Sequence, residues 1–323
     1  WIEGYNKKRI KDFTKWLKTI ADKKKQVKQY QRLSTEPIDI GIAIKSWKWI
    51  STKDKYSQDV KRLKKWIKDG DIFQANLSTA CNTKIPKTLS IIDVFNQLRS
   101  YCPSPFGGVI IGGDMAQGEA VISSSPERFL KVLETGEIET RPIKGTRPRY
   151  KNSAKKDAEM AADLICSEKD RAENIMIVDV LRNDFGRVCI PGSIYVEKLV
   201  GLESYEQVHH LTSVIKGSLQ TNKKWNDLLE ACWPGGSISG APKLRACKRL
   251  YQLEKIARGP YCGSFINVDW NGTFDSNILI RSLIIQDEKI RAHAGCGIVA
   301  DSDPNHEAEE MEWKLIPLLK ALE

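Results

Sequence analysis

The chain has 323 residues, 41% of them apolar and 8% aromatic, which excludes an intrinsically disordered protein and provides for a sizeable core. It has no run of 18 or more apolar residues, so we expect no membrane-spanning helix and no membrane partner. Much of the net charge of +10 lies in two lysine-rich stretches with the pattern of solvated helix faces, and no nucleic-acid-binding motif accompanies them, so we expect no nucleic-acid partner.

In the first half of the chain, hydrophobic periodicity and turn residues predict helices and short strands. An amphipathic stripe around Ile10 predicts a charged helix over residues 1–35. Apolar positions at Tyr56, Val60 and Leu63 predict a second helix, which Gly70 ends. Strands are predicted over residues 38–44, 73–79, 108–111, 120–123, 128–133 and 137–141.

The second half continues the mixture of long helices and short strands. One long helix is predicted over residues 155–181, then a strand pair after Pro191 and a helix near Trp225. The remaining predicted elements are a Gly/Ser-rich turn at 234–240, a helix at 241–253, strands at 262–269 and 278–286 around a hairpin turn at 270–272, a strand at 289–294, a glycine turn, and a C-terminal helix from about residue 307. The absence of a regular βαβ order favours an α+β fold.

Cysteine usage indicates the compartment. The eight cysteines form no CxxC pair and no zinc-ligand spacing, which is typical of free thiols in a reducing cytosol. The chain begins at Trp1 with no signal-peptide pattern. We therefore expect a cytoplasmic protein and interpret Trp1 as a trimmed edge.

Two acidic couples could bind a metal ion. Asp170 and Glu173 are three residues apart on one predicted helix, and Glu307 and Glu310 are three apart on another, so each couple shares a helix face. Four carboxylates around one point would suit Mg²⁺. By spacing alone, ordinary solvated acidic helix faces are the more common explanation of such couples.

Two glycine-containing segments could approach a ligand, and the first of them could bind an anion. The stretch 234–243 places Gly and Ser before a helix start, where backbone N–H groups are available. Gly295 and Gly297 predict a turn whose backbone could approach a ligand closely. Neither segment has the ending of a nucleotide-binding P-loop.

Two further positions carry candidate chemistry. Lys144 precedes Gly145 at a predicted strand end, where partial desolvation would make it a nucleophile, although a surface lysine is the simpler reading. His209 and His210 would face opposite ways in a strand, so at most one of them can face a site.

Eight ordered stretches together resemble the chorismate-utilising enzymes, the family that includes anthranilate, isochorismate, salicylate and aminodeoxychorismate synthases. They are GDIFQANLS (70–78), SSPERF (124–129), PIKGTRPR (142–149), KDRAENIMIVDVLRND (169–184), VHHLTS (208–213), PGGSISGAPKLRA (234–246), YCGS (261–264) and AGCGIVADSDPNHEAEE (294–310). The resemblance runs from about residue 56 to residue 323. It implies two stacked, mostly antiparallel sheets flanked by helices.

The resemblance also implies domain limits and ligands. It assigns residues 51–323 to a chorismate-binding catalytic domain and residues 1–50 to the remnant of an N-terminal region. By resemblance, Asp170, Glu173, Glu307 and Glu310 are Mg²⁺-site carboxylates. The residues implied in substrate binding are Gln74, Thr146, Ser239, Gly240, Tyr261, Arg281, Gly295, Gly297 and Lys314.

The implied catalytic residues are Lys144, Glu127 and His210. In the PIKGT motif, the lysine is thought to attack C2 of chorismate covalently before ammonia adds at C4, whereas anthranilate synthases resemble PIAGT. Gln74 stands where family members that use water carry a lysine. The resemblance therefore favours amination to 4-amino-4-deoxychorismate over the alternative, an anthranilate synthase. The chain has no glutaminase motif, which implies ammonia from a separate glutaminase subunit.

Overall fold

The computed structural model describes Lys15 and residues 40–86, 89–112, 119–206 and 208–323. Residues Asp39–Glu323 form one compact unit. The helix predicted over residues 1–35 lies, apart from the helical Lys15, outside the described residues. The division of the chain at residue 50 stays a prediction. Among the helices of the described part, none is long and apolar enough to cross a membrane.

The described residues form fourteen strands and seven α-helices. In chain order they are β1 (Lys48–Trp49), α1 (Lys53–Lys68), β2 (Gln74–Lys84), α2 (Ile91–Tyr101), β3 (Phe106–Gly112), β4 (Glu119–Ser125), β5 (Arg128–Val132), β6 (Glu137–Thr140), β7 (Ile143–Pro148), α3 (Ala154–Cys166), α4 (Glu168–Gly186), β8 (Tyr195–Ser204), β9 (Val208–Ser218), α5 (Trp225–Cys232), β10 (Gly240–Ala241), α6 (Lys243–Leu253), β11 (Ile266–Val268), β12 (Phe274–Asn277), β13 (Ser282–Gln286), β14 (Lys289–Ile298) and α7 (Pro304–Lys320).

The strands form two seven-stranded sheets, and every pairing is antiparallel. The first sheet has the order β1-β2-β14-β13-β4-β3, with β10 also paired to β2. The second has the order β11-β12-β5-β6-β9-β7, with β8 also paired to β9. The predicted fold class, two mostly antiparallel sheets flanked by helices, is confirmed.

Helices α1 and α7 cover the first sheet. Tyr56 and Leu63 of α1 and Met311 and Leu315 of α7 are buried in one apolar cluster with residues of β2 and β14. The predicted end of α1 is confirmed, because Gly70 has a φ of +75°, a conformation that glycine adopts without steric cost. The packing of α7 fixes the position of its acidic couple relative to β14.

Helix α4 covers the second sheet. Its residues Ile177, Leu181 and Phe185 are buried in a second apolar cluster with Ile215 of β9 and Phe274 of β12. The single helix predicted over residues 155–181 is wrong, because the chain forms two helices, α3 and α4, that meet at Ser167. The Ser167 side chain accepts a hydrogen bond from the Asp170 N–H and thus starts a new helix.

Three other predictions need correction. Residues 40–43 form no strand, because the N–H groups of Gly41 and Ile42 donate to the last two carbonyls of the chain, and a 3₁₀ turn follows at Ile44–Ser46. The hairpin turn at 270–272 is present but joins β11 to β12, since the strand predicted over 278–286 begins only at Ser282. Gly295 and Gly297 lie inside β14, paired with β2, and not in a turn.

Candidate active site

The side-chain ends of Gln74, Lys144 and Glu173, from three different elements, meet over Gly297. We call this place the convergence point. A Cβ atom built at Gly297 would lie 2.8 Å from Gln74 Nε2, 3.0 Å from Lys144 Nζ and 3.2 Å from Glu173 Oε2. These residues belong to β2, β7 and α4, so residues of both sheets and a helix meet at this point. Glycine at 297 leaves the space that the three polar ends occupy.

Lys144 is held by a bulge in β7. The register of β7 on β9 shifts between Lys144 and Thr146, and Gly145 between them has a φ of +82°. A Cβ at Gly145 would lie 2.9 Å from the Cβ and Cγ of Asp170, so glycine also lets α4 approach the strand. The Lys144 side chain is 13% exposed, and its Nζ lies 3.5 Å from Glu173 Oε2. The lysine is therefore largely desolvated and faces the convergence point.

Each carboxylate of the two acidic couples is paired with its own cation. The pairs are Asp170 with Arg147 at 3.4 Å, Glu173 with Lys144 at 3.5 Å, Glu307 with Lys169 at 2.7 Å, and Glu310 with Lys314 at 2.8 Å. Burial raises the pKa of Glu173, with Lys144 opposing and Glu307 adding to the rise. The couples thus lie close enough to act on each other electrostatically, although α4 and α7 are far apart in the chain.

The carboxylates fit a hard divalent cation. Glu307 is buried; its Oε1 accepts hydrogen bonds from Lys169 and Ser302, whereas its Oε2 has no hydrogen-bond partner among the described residues. Ligand atoms of Glu307, Glu310 and Cys296 lie within 4.8 Å of one another. A buried carboxylate oxygen without a partner is costly unless a proton or a cation satisfies it.

His210 faces the site and His209 does not. His210 Nδ1 lies 2.9 Å from the hydroxyl of Thr146, its partner across the strands, and burial lowers its pKa to about 4. The imidazole is therefore neutral near pH 7. His209 instead contacts Ser204 at 2.8 Å and Asp157 at 3.1 Å, away from His210.

Glu127 is a buried carboxyl between β4 and β5. Burial raises its pKa to about 7, while Lys144 and hydrogen bonds from Ser237 and the Ile143 backbone oppose the rise. A carboxyl with this pKa can give or take a proton near neutral pH. The influence of Lys144 on its pKa places Glu127 within electrostatic range of the convergence point.

The residues expected to bind substrate fall into two groups. Ser239 and Gly240 form the turn that enters β10, and a Cβ at Gly240 would collide with the Gln74 carbonyl. Gly295 lies on β14, and its carbonyl accepts a hydrogen bond from Lys314 Nζ at 3.0 Å. Gly240 thus lies beside Gln74 on β2, and Lys314 lies beside β14 at Gly295, two residues before Gly297.

Tyr261 is buried and Arg281 is partly buried. The Tyr261 ring stacks on His293 with centroids 4.8 Å apart, and Arg281 lies close enough to His210 to help lower its pKa, after burial. Burial also lowers the pKa of His293, to about 3, and neither of its ring nitrogens has a partner in the part of the chain that the structure describes.

The sequence analysis missed Lys169, Cys296 and His293. Lys169 directly precedes Asp170 in a quoted motif, so its position was visible although its partner, Glu307, was not. Cys296 lies between Gly295 and Gly297 with its thiol beside Lys314 and Glu307. His293 lies two residues before Gly295, and only the alternation of β14 could have placed it on the same face.

The two-sheet fold, with paired carboxylates beside a largely shielded lysine, is that of a known class of enzymes. Residues 6–320 match the family of chorismate binding enzymes, and the chain belongs to that family. The resemblance stated from the motifs is thereby confirmed.

Individual relatives carry two different names. An anthranilate synthase component I-like protein of Synechocystis sp. is 39% identical over the whole chain and 63% of its own length. Aminodeoxychorismate synthase component 1 of Salmonella typhimurium is 39% identical over 86% of the chain and 60% of its own length. The crystal structure of anthranilate synthase component I from Streptococcus pneumoniae TIGR4 is similar with a TM-score of 0.81 and 31% identity, covering 97% of this chain and 66% of that one. The chain thus spans less than two thirds of these two curated relatives.

Proposed function

We propose that this chain aminates chorismate with ammonia to 4-amino-4-deoxychorismate. The observation that carries the proposal is Lys144, a lysine only 13% exposed whose Nζ lies at the convergence point over Gly297. The names of the relatives support the family but do not distinguish an aminodeoxychorismate synthase from an anthranilate synthase. Lys144 supports the aminodeoxychorismate product, because a nucleophilic amine in this position offers a covalent route that alanine could not.

The four carboxylates Asp170, Glu173, Glu307 and Glu310 would hold Mg²⁺. When bound, the ion would neutralise a substrate carboxylate and act as a Lewis acid. The unpartnered Glu307 Oε2 supports this assignment. The cations that pair with these carboxylates would be freed for the substrate, and Lys314, beside the Gly295 carbonyl, is suited to bind a substrate carboxylate.

Lys144 and Glu127 would perform the covalent step. With its amine deprotonated, Lys144 forms a bond to C2, both ring double bonds shift by one position, and the C4 hydroxyl takes the proton of Glu127 and leaves as water. Ammonia then adds at C4, both ring double bonds shift back, the Lys144 amine leaves C2, and the ammonium formed at C4 returns a proton to Glu127. The pKa of Glu127, about 7, keeps a proton available for the departing hydroxyl.

The remaining residues would bind and orient the substrate. Arg281, Tyr261, the Ser239–Gly240 turn and the backbone at Gly295 and Gly297 would hold its carboxylates. Thr146 positions the neutral ring of His210. Gln74, whose buried amide has no partner among the described residues, offers hydrogen bonds without acting as a base for water. The ammonia would come from a separate glutaminase subunit.

A product assay tests this proposal. The chain is incubated with chorismate, Mg²⁺ and ammonium at alkaline pH, and the products are separated by chromatography. We expect 4-amino-4-deoxychorismate from the wild type and a loss of at least about a hundredfold from Lys144→Ala. Lys216→Ala is the control, because Lys216 is similarly shielded, 18% exposed, but pairs with Glu197 and Glu137 outside the site. An unchanged rate of product formation in Lys144→Ala would refute the role of Lys144 as the nucleophile.

The second candidate function is anthranilate synthesis. It is favoured by the relative named anthranilate synthase component I-like and by the Streptococcus pneumoniae structure. In that reaction ammonia would stay at C2 and pyruvate would leave, so Lys144 would form no bond to substrate. Anthranilate as the wild-type product would establish this alternative, and the same chromatogram distinguishes the two.

A further inference from the structure

Arg258 and Glu254, to which we assign no contact with a ligand, form a largely shielded ion pair just after α6. Arg258 Nε donates to Glu254 Oε2 at 2.9 Å, and Arg258 Nη2 donates to Glu254 Oε1 at 2.6 Å. Their side chains are 18% and 9% exposed. This two-point geometry fixes the plane of the guanidinium group.

The other donors of Arg258 reach two backbone carbonyls that border the site. Nη1 donates to Ile238 O at 2.7 Å, and Nη2 also donates to Asn76 O at 2.6 Å. Ile238 directly precedes Ser239, and the Asn76 N–H donates to the Ser239 carbonyl at 2.8 Å. A single guanidinium group therefore joins the turn that carries Ser239 to the strand that carries Gln74.

Glu254 and Arg258 also contact Ser78 and Cys262, two further residues at the border of the site. Glu254 Oε1 accepts hydrogen bonds from the Ser78 N–H at 2.9 Å and the Ser78 hydroxyl at 3.0 Å, and Ser78 pairs with Gly295. Arg258 Nη1 also lies 3.6 Å from the sulfur of Cys262, the residue after Tyr261. The pair thus contacts residues that adjoin or pair with Ser239, Tyr261 and Gly295.

We propose that Arg258 and Glu254 are positioning residues that set the spacing of β2, the Ser239 turn and Tyr261, and thereby the affinity for the substrate carboxylates. A buried ion pair used for packing alone gains little, because desolvation offsets its attraction. This pair instead directs its hydrogen bonds to main-chain groups at the site's border. The inference rests on the proposed chorismate site.

The test measures binding and turnover separately. Calorimetric titration of chorismate in the presence of Mg²⁺, with steady-state kinetics, is applied to Arg258→Lys and Glu254→Gln. Lysine keeps the charge but cannot reach both carbonyls and the carboxylate at once, so we expect Kd and KM for chorismate to rise about tenfold with kcat within about threefold. Glu254→Gln can still accept from Ser78, so its effect should be smaller. Mg²⁺ affinity should not change in either variant.

Arg249→Lys is the matched control. Arg249 also extends from α6 to a carboxylate beside β2, Asp71, at 2.6 Å, but it contacts no carbonyl of the site. It should lower the melting temperature without changing Kd for chorismate. A wild-type Kd and KM in Arg258→Lys, or an equal rise in Arg249→Lys, would overturn the inference. If Arg258→Lys does not fold, Glu254→Gln decides by the same measurement.

The outcomes separate this inference from the proposed function. A wild-type chain that binds no chorismate refutes both. A chain that binds chorismate but yields anthranilate refutes only the proposed product. The shift in Kd then still tests the positioning residues.

Discussion

The two halves of the candidate site hold their polar groups in opposite ways. Along α4 and α7, four carboxylates each face an opposite charge at 2.7–3.5 Å. In the other half, burial without a close ion pair shifts the pKa of Glu127 up to about 7 and those of His210 and His293 down to about 4 and about 3. Near pH 7 the first half is charged; we call the second the neutral half, because its two histidines are uncharged and Glu127 is about half protonated there.

The difference follows from desolvation. A buried charge persists where an opposite charge stabilises it, and a buried group without that partner loses its charge. The charged half is therefore suited to exchange its lysines for a metal ion and an anionic substrate. The neutral half is suited to move a proton without attracting competing ions.

The largest expected effect concerns the charged half. Glu307→Gln removes a buried charge that would hold the ion and leaves Lys169 without its opposite charge, so we expect Mg²⁺ affinity to fall about a hundredfold. Isothermal titration with Mg²⁺ alone measures the change. Glu309→Gln on the same helix is the control, because Glu309 is exposed and pairs with Lys53 outside the site. Equal Mg²⁺ affinities in the wild type, Glu307→Gln and Glu309→Gln would contradict the metal-binding role of Glu307 and thus of the charged half.

Gly297→Ala tests the point where the halves meet. The added methyl group would press on Gln74, Lys144 and Glu173 at 2.8–3.2 Å, all side-chain ends that can shift, so the chain should fold with turnover reduced about ten- to a hundredfold. Gly112→Ala on β3, where a Cβ meets nothing within 4 Å, is the control. Turnover and melting temperature are measured together, and a Gly297→Ala enzyme with full turnover would contradict the proposed convergence.

The ionisation of Glu127, in the neutral half, predicts how kcat/KM depends on pH. If the carboxyl acts as the acid, kcat/KM should fall about tenfold per pH unit above an apparent pKa near 7, since the acid must be protonated. Glu127→Gln should lower the rate and abolish this limb. Rates are measured with ammonia itself held constant, because its own ionisation changes with pH. A decrease of kcat/KM above pH 7 that persists in Glu127→Gln would show that another group titrates.

The smallest effect is on stability in acid. The unfolded chain protonates histidine near pH 6.5, whereas folded His293 does so only near pH 3. The unfolded state thus binds more protons in that window, and each such histidine costs up to about 1.4 kcal/mol of stability per pH unit below 6.5. His293→Phe, which keeps a ring against Tyr261, should flatten this slope in urea titrations from pH 7 to 5. Parallel wild-type and variant slopes would mean that His293 is charged when folded.

Local patterns predicted the elements well. The helix that contains Tyr56 and ends at Gly70, and the hairpin turn at 270–272, depend on residues close together in the chain, and both are present. The break at Ser167 was missed because the apolar positions continue on both sides of it, while the serine side chain caps the second helix. Periodicity alone does not distinguish a capped restart from a continuous helix.

The site was less accessible to such reasoning. Spacing could place Glu307 and Glu310 on one helix face but could not show that Lys169 and Lys314 neutralise them. Gly295 and Gly297 were expected in a turn because glycine is common in turns, whereas here it makes room inside a strand. The motifs identified the family, yet only the fold showed which groups meet.

The sequence by itself determined the identity of the elements and the family, because periodicity, turn residues and ordered motifs are properties of neighbouring residues. The tertiary structure decided which carboxylates are paired, which histidine is neutral and which glycine opens onto Lys144. Those properties arise where β2 pairs with β14 and where α4 and α7 approach each other, contacts between residues more than a hundred positions apart. Burial and charge at such contacts set each group's chemistry, and no local pattern encodes them.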